Sequence, residues 1–129
     1  MLKNLKIYAV APAKDLARAK AFYKDKLGLE PVSEFDGGAM FQCGDDTMFL
    51  MYETPNAGTA ANTAIGWDTD NLEAEVAELK GRGVVFEEYD LADIGLKTVD
   101  SIADMGGEKA AWFKDSEDNI LAITQNNKK

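Results

Sequence analysis

Ala110-Ala111-Trp112-Phe113-Lys114-Asp115-Ser116-Glu117-Asp118-Asn119-Ile120-Leu121-Ala122-Ile123 decides how the chain is read. β-favouring apolar residues flank Asp115 to Asn119, whose short polar side chains bond to nearby backbone and tolerate turn conformations. The stretch therefore predicts two strands joined by a polar turn. The chain contains the pattern twice. Ala39-Met40-Phe41-Gln42-Cys43-Gly44-Asp45-Asp46-Thr47-Met48-Phe49-Leu50-Met51 repeats its order of apolar and polar residues at an offset of 72, with Ala39/Ala111, Phe41/Phe113 and Asp46/Asp118 identical. A repeated hairpin predicts two copies of a larger unit.

The flanking sequence supplies the rest of that unit. Leu5 to Ala11 reads as a first strand closed by Pro12, which lacks a ladder donor. Asp15 is a helix cap, and Leu16, Ala19, Phe22, Tyr23 and Leu27 form one apolar helical face that Gly28 ends. Leu29 to Phe35, Ala39 to Cys43 and Thr47 to Glu53 are three further strands, turned at Asp36-Gly37-Gly38 and Gly44-Asp45-Asp46. After the aperiodic Thr54 to Thr59 the order recurs. Thr63 to Thr69 is a strand, and Asp70 with Glu73 has the capping-box spacing. Leu72, Val76 and Leu79 face the core, Gly83 stops the helix, and Val84 to Glu88 is the next strand. The strand-helix part repeats at an offset of 56, so 16 residues are inserted before the second hairpin, within Tyr89 to Gly107. The expected fold is α+β: two tandem βαβββ modules, one over residues 1–53 and one over 63–129, joined by a linker at 54–62.

Composition narrows the function. Hydrophobic content of 46% beside 29% charged residues suits one soluble domain of 129 residues. No apolar run reaches the length of a membrane span, and Lys3 and Lys6 interrupt any signal-peptide core. A net charge of −9 disfavours nucleic acid as a partner. The single Cys43 forms no internal disulfide, which suits the cytoplasm. There is no histidine, so the usual general base and the commonest transition-metal ligand are missing.

Asp15-Leu16-x-x-Ala19-x-x-Phe22-Tyr23-x-x-x-Leu27-Gly28-Leu29 and Trp112-Phe113-Lys114-Asp115-Ser116-Glu117-Asp118-Asn119-Ile120-Leu121 resemble the first-helix and closing-hairpin signatures of the vicinal oxygen chelate superfamily. This is the glyoxalase/bleomycin resistance protein/dioxygenase fold, and the resemblance covers nearly the whole chain. Ser116 and Asp118 stand where the family usually has proline and glycine. Both suit a turn, and Asp tolerates the left-handed region. The resemblance implies a cup of curved mixed sheet with helices outside. It also implies four metal-ligand positions, which fall at Tyr8, Leu50, Ala64 and Ala122. These offer a divalent metal no ligand set, and shifting each position by one residue adds no carboxylate or imidazole. The expectation is no metal, no cofactor, and none of the family's metal-dependent glyoxalase or dioxygenase chemistry.

Residues in phase with those positions are expected to line the cup: Tyr8, Met40, Met48, Leu50, Tyr52, Asp68, Trp112 and Ile120. Apolar and aromatic walls with sparse polar groups suit a small organic ligand. The leading expectation is metal-independent binding of an aromatic or cationic compound, as in the bleomycin-resistance proteins that the chain resembles. The alternative is a lyase- or isomerase-like enzyme without metal, its acid-base chemistry falling to Asp68, Tyr8, Cys43 or Lys114. A filled cup, packed as a second core, is the plain structural reading. Glu87, Glu88, Asp90 and Asp93 are expected to form a solvated acidic rim. Leu91, Ile94 and Leu96 in the insertion suit a lid or a dimer contact, and a two-fold homodimer is expected.

Overall fold

Two open sheets carry the chain, and the structure, a computed structural model, describes residues 1–126. The first sheet holds β1 (Ala9–Ala13), β2 (Pro31–Phe35), β3 (Gly38–Gln42) and β4 (Met48–Glu53) in the order β1-β4-β3-β2. β1 runs parallel to β4, and the other neighbours are antiparallel. Between β1 and β2, α1 (Leu16–Phe22) continues as a π-helical turn, Tyr23–Leu27. It stops at Gly28, whose φ of 71° is the left-handed geometry glycine adopts without strain.

The second sheet holds β5 (Thr63–Asp68), β6 (Asp90–Leu91), β7 (Leu96–Val99), β8 (Ile102–Asp104), β9 (Glu108–Lys114) and β10 (Ile120–Asn126), with α2 (Leu72–Gly81) after β5. Its order is β5-β10-β9-β8-β7-β6, and β5 runs parallel to β10. Thus β5, β10, β9 and β8 take the places that β1, β4, β3 and β2 hold in the first sheet. The α+β repeat read from the sequence is the fold observed.

The repeat extends to individual hydrogen bonds. Asp15 accepts the Arg18 N–H at 3.1 Å, and Asn71 accepts the Ala74 N–H at 3.1 Å. Glu53 accepts the Leu16 N–H at 3.1 Å, and Gln125 accepts the Leu72 N–H at 2.8 Å. Each pair matches at the offset of 56 or 72. Both helices therefore start from a side-chain cap and an acceptor on the last strand of their own unit, which satisfies N–H groups that a helix leaves unpaired.

One core joins the two sheets. Phe41, Phe49 and Met51 from the first meet Ile65, Phe113 and Leu121 from the second, with Tyr23, Leu72 and Val76 from the helical segments. Phe41 and Phe49 stack at 4.7 Å, and Phe49 meets Trp67 edge-on at 6.2 Å. β1 and β5, each an edge of its sheet, run beside one another.

Three local expectations need correction. β1 starts at Ala9 and includes Pro12, whereas Leu5 and Ile7 are exposed. Pro12 is tolerated because β1 is an edge strand. Val84 to Glu88 forms no strand: one bridge joins Phe86 to Phe113, and the inserted β8 takes the place beside β9. The cap of α2 is Asn71 rather than Asp70.

The insertion, Tyr89 to Gly107, adds β6, β7 and β8 to the second sheet. Its β7–β8 turn holds Asp100 and Ser101 at φ 50° and 76°. Glu88 steadies that turn, accepting the Thr98 hydroxyl at 2.6 Å and the Ser101 N–H and hydroxyl at 3.1 and 2.9 Å. These bonds, the Thr98 hydroxyl foremost, hold the Glu88 carboxyl below its ordinary pKa. Of the expected acidic rim, Glu88 is thus a tether, and Glu87 faces Lys114 at 3.8 Å.

Candidate functional site: an open aromatic face and the clasp behind it

Alternation along each strand sorts the side chains into two sets. Ala11, Phe41, Phe49, Met51, Phe113 and Leu121 turn toward the helices and are buried. The opposite phase carries Met40, Met48, Leu50, Tyr52, Trp112 and Ile120, and Tyr8 keeps that phase just before β1. Register aligns Val10, Leu50 and Met40 in one row of the first sheet. It aligns Gly66, Ala122 and Trp112 in the corresponding row of the second.

This outer face is apolar and unfilled. Tyr8, Val10 and Tyr52 are 51%, 46% and 41% exposed, while Met40, Met48, Leu50, Trp112 and Ile120 are half-buried. Among the described residues, no main cleft gathers more than two of the eight expected lining residues. One of about 340 Å3 has Tyr8 and Met48 beside Ile65 and Trp67. Ile120 lies apart, with Pro12 and Ala64 in a cleft of about 110 Å3. Asp68 is separated from the rest: it is exposed at the end of β5 and borders a cleft with Trp67 and Leu79. Tyr89, from the insertion, meets the Trp112 ring edge-on at 5.5 Å. Sequence reading missed Tyr89, although an aromatic residue opening an insertion was the available signal.

The four positions implied as metal ligands carry one phenol and three hydrocarbon side chains: Tyr8, Leu50, Ala64 and Ala122. Among the described residues, no three His, Cys, Asp or Glu side chains group as a metal site. This donor set does not fit a divalent cation.

A buried polar clasp fixes the sheets behind the face. Asp115, Glu117 and Asn119, from the turn between β9 and β10, are all buried. Asp115 accepts the Tyr23 hydroxyl at 2.7 Å and the Asn119 amide at 2.9 Å on one oxygen. Its other oxygen accepts the N–H groups of Glu117 and Asn119 at 2.8 and 2.9 Å. The Asn119 amide also donates to the Pro12 carbonyl at 2.8 Å. Glu117 accepts the Asp15 N–H, the Ser116 hydroxyl and two guanidinium N–H groups of Arg18, at 2.7 to 3.0 Å. Burial alone would raise the Glu117 carboxyl, but Arg18, the Asp15 N–H and Ser116 together hold it at about 2. Burial, and then the Asp115 charge, push the Tyr23 phenol well above its ordinary value, so it remains a donor. Asp118 takes φ 65°, the left-handed turn geometry expected of the residue standing in for glycine.

With this geometry in hand, three solved structures are informative. The chain is similar to a bleomycin-binding protein solved with bleomycin, at 21% identity and a TM-score of 0.70, covering 95% of this chain and 99% of that one. It is also similar to TnmS3, an antibiotic binding protein from Streptomyces sp. CB03234, at 22% identity and a TM-score of 0.64, over 95% and 98% of the two chains. A lactoylglutathione lyase from Agrobacterium tumefaciens is similar at 22% identity and a TM-score of 0.63, over 95% and 93%. The same fold thus serves binding proteins and enzymes. No curated protein matches the sequence. The family model of the Glyoxalase/Bleomycin resistance protein/Dioxygenase superfamily matches residues 7–123, and the chain belongs to that family.

Proposed function

We propose that the protein binds a small organic molecule, aromatic or cationic in character, on the outer face of its sheets without a metal. The observation that carries this reading is the exposure of Tyr8, Val10 and Tyr52. Aromatic and aliphatic side chains packed as a second core would be covered, whereas here they stand open beside half-buried Trp112 and Leu50. Such walls give a flat ligand stacking area, and a net charge of −9 attracts a cation. An antibiotic of that character suits the face, given the bleomycin-binding and antibiotic-binding relatives. The acid-base alternative loses its main candidate, because Asp68 is exposed and lies away from Tyr8 and Trp112.

The same reading makes the protein a homodimer, a second copy completing the wall that one chain leaves open. Val32 and Phe35 on β2, with Ile94 and Val99 in the insertion, are more than half exposed and offer apolar contact area. The lone thiol accords with a cytoplasmic home.

The test is titration with a panel of aromatic cations, bleomycin included, following tryptophan emission in wild type and in Trp112→Phe. Saturable quenching that Trp112→Phe abolishes supports the proposal; silence across the panel overturns it. Light scattering at micromolar concentration checks the assembly, and a 14.1 kDa species there overturns the dimer.

A further inference from the structure

A cleft of about 330 Å3 lies on the helical side of the sheets and adjoins the cleft beside Tyr8 and Met48 at Cys43 and Trp67. Its walls are Leu27, Leu29, Trp67, Leu79, Phe113 and Ile123, so both halves of the chain contribute. The internal repeat explains why there is space here. Leu79 holds the position that Tyr23 holds in the first unit, and Cys43 the position of Asp115 in the second. At one junction Tyr23 and Asp115 meet in a 2.7 Å hydrogen bond and close the gap between helix and hairpin turn. At the other, Leu79 and Cys43 are too short to do so, and both line the cleft. Cys43 is occupied instead by Trp67, whose indole N–H points at the sulfur from 3.5 Å.

The chemistry of the lining selects an occupant. Asp68 and Glu75 bring two carboxylates to the cleft, Thr69 brings a hydroxyl, and no Lys or Arg lines it. An aromatic wall beside anionic groups favours a cation that carries apolar bulk. The volume restricts the ligand to a small molecule. We propose that this cleft binds a small organic cation of the arylalkylammonium class, its ring between Trp67 and Leu79 and its ammonium group toward Asp68 and Glu75. Asp68 and Glu75 line this cleft and not the one beside Tyr8 and Met48, whereas Trp67 and Cys43 line both, so the Glu75 and Tyr52 variants decide which side the cation occupies.

The test uses 2-phenylethylamine, a cation at pH 7, against neutral 2-phenylethanol. Trp67 emission is followed in the Trp112→Phe protein, which leaves Trp67 as its single tryptophan, and the reaction rate of Cys43 with a thiol reagent is followed in wild type. The amine should shift the emission and slow the thiol at the same half-saturation, and the alcohol should bind roughly tenfold more weakly or less. Glu75→Gln, on an exposed helix position, should weaken the amine several-fold, and Tyr52→Ala should leave it unchanged. Leu79→Phe should block both signals by filling the space. Equal binding of amine and alcohol, indifference to Glu75→Gln, or silence in both readouts overturns the proposal. Dependence on Tyr52 rather than Glu75 also overturns it and moves the cation to the outer face.

Discussion

The turn from Asp115 to Asn119 is buried and bonded across to the other half of the chain, whereas its counterpart from Cys43 to Thr47 is mainly solvated, bonded locally, and reaches the other half by one weak contact, the Trp67 indole N–H to the Cys43 sulfur. The first meets Tyr23, Arg18, the Asp15 N–H and the Pro12 carbonyl. In the second, Thr47 donates to the Gly44 carbonyl and Gln42 to Asp46, all within a few residues. The strand order and helix caps around the two turns are the same, although Asp45 is left-handed at φ 53° where its counterpart Glu117 is not. What differs is a handful of side chains: Asp115, Glu117 and Asn119 against Cys43, Asp45 and Thr47, and Tyr23 and Arg18 against Leu79 and Ala74. One junction is thereby closed by polar groups, and the other is left as a cleft. Duplication supplies equivalent positions, and a few substitutions decide which becomes structural and which stays open.

The largest effect expected from this contrast is the loss on Asp115→Ala. The Tyr23 hydroxyl, the Asn119 amide and two backbone N–H groups would lose a buried acceptor, at a cost of about 3–5 kcal/mol. Its counterpart Cys43→Ala should cost about 1 kcal/mol or less, because that side chain has one weak partner. Urea unfolding of both variants measures the difference, and equal losses would remove the distinction between the two turns.

Glu117 adds a pH signature. Its folded carboxyl is held at about 2 against an ordinary 4.5, so its contribution is complete above pH 4.5 and fades as the pH falls toward 2. The shift corresponds to about 3 kcal/mol, which screening at the half-exposed Arg18 reduces to about 2 kcal/mol. Glu117→Gln should lose that amount at pH 7 and flatten the stability profile between pH 5 and 2, the range these pKa values set. An unchanged slope in Glu117→Gln would assign the acid sensitivity to other carboxylates.

The open junction can be rebuilt on the pattern of the closed one. Cys43→Asp with Leu79→Tyr should show a favourable coupling of about 1 kcal/mol in a double-mutant cycle, since each change supplies the partner the other lacks. It should also fill the cleft and abolish binding of 2-phenylethylamine. Zero coupling would mean that the two positions do not meet as Tyr23 and Asp115 do.

The smallest effect tests where the halves are alike. Asp15→Ala and Asn71→Ala remove equivalent helix caps, and each should cost about 1 kcal/mol. A difference well beyond a few tenths, read by thermal unfolding, would carry the asymmetry into the caps as well.

Sequence periodicity made the repeat legible because strands and helix faces are local patterns. The phase of the outer face followed from alternation once the strands were placed. The clasp was not legible in that way. Tyr23 reads as one member of an apolar stripe, and Asp115 to Asn119 as a polar turn, because the bonds that bury them come from distant parts of the chain. Val84 to Glu88 reads as a strand, yet the place beside β9 belongs to three residues, Ile102–Asp104, too short to stand out. Asp68 was in phase with the outer face, but it ends its strand, where alternation no longer fixes the surroundings. The cleft was least visible of all, since it is the space between units and no single segment encodes it.

The clasp also sets an order of events during synthesis. Its bonds from Asp15, Arg18, Tyr23 and Pro12 reach 92 to 107 residues along the chain. A ribosome delivers the first sheet and α1 long before it delivers Asp115, so the nascent first unit waits with the Tyr23 hydroxyl and the Arg18 guanidinium unmatched. Such distant contacts are slow to close, and chains that expose apolar surface while waiting are the ones that aggregate. The hairpin of the second unit is thus the latch on the helix of the first.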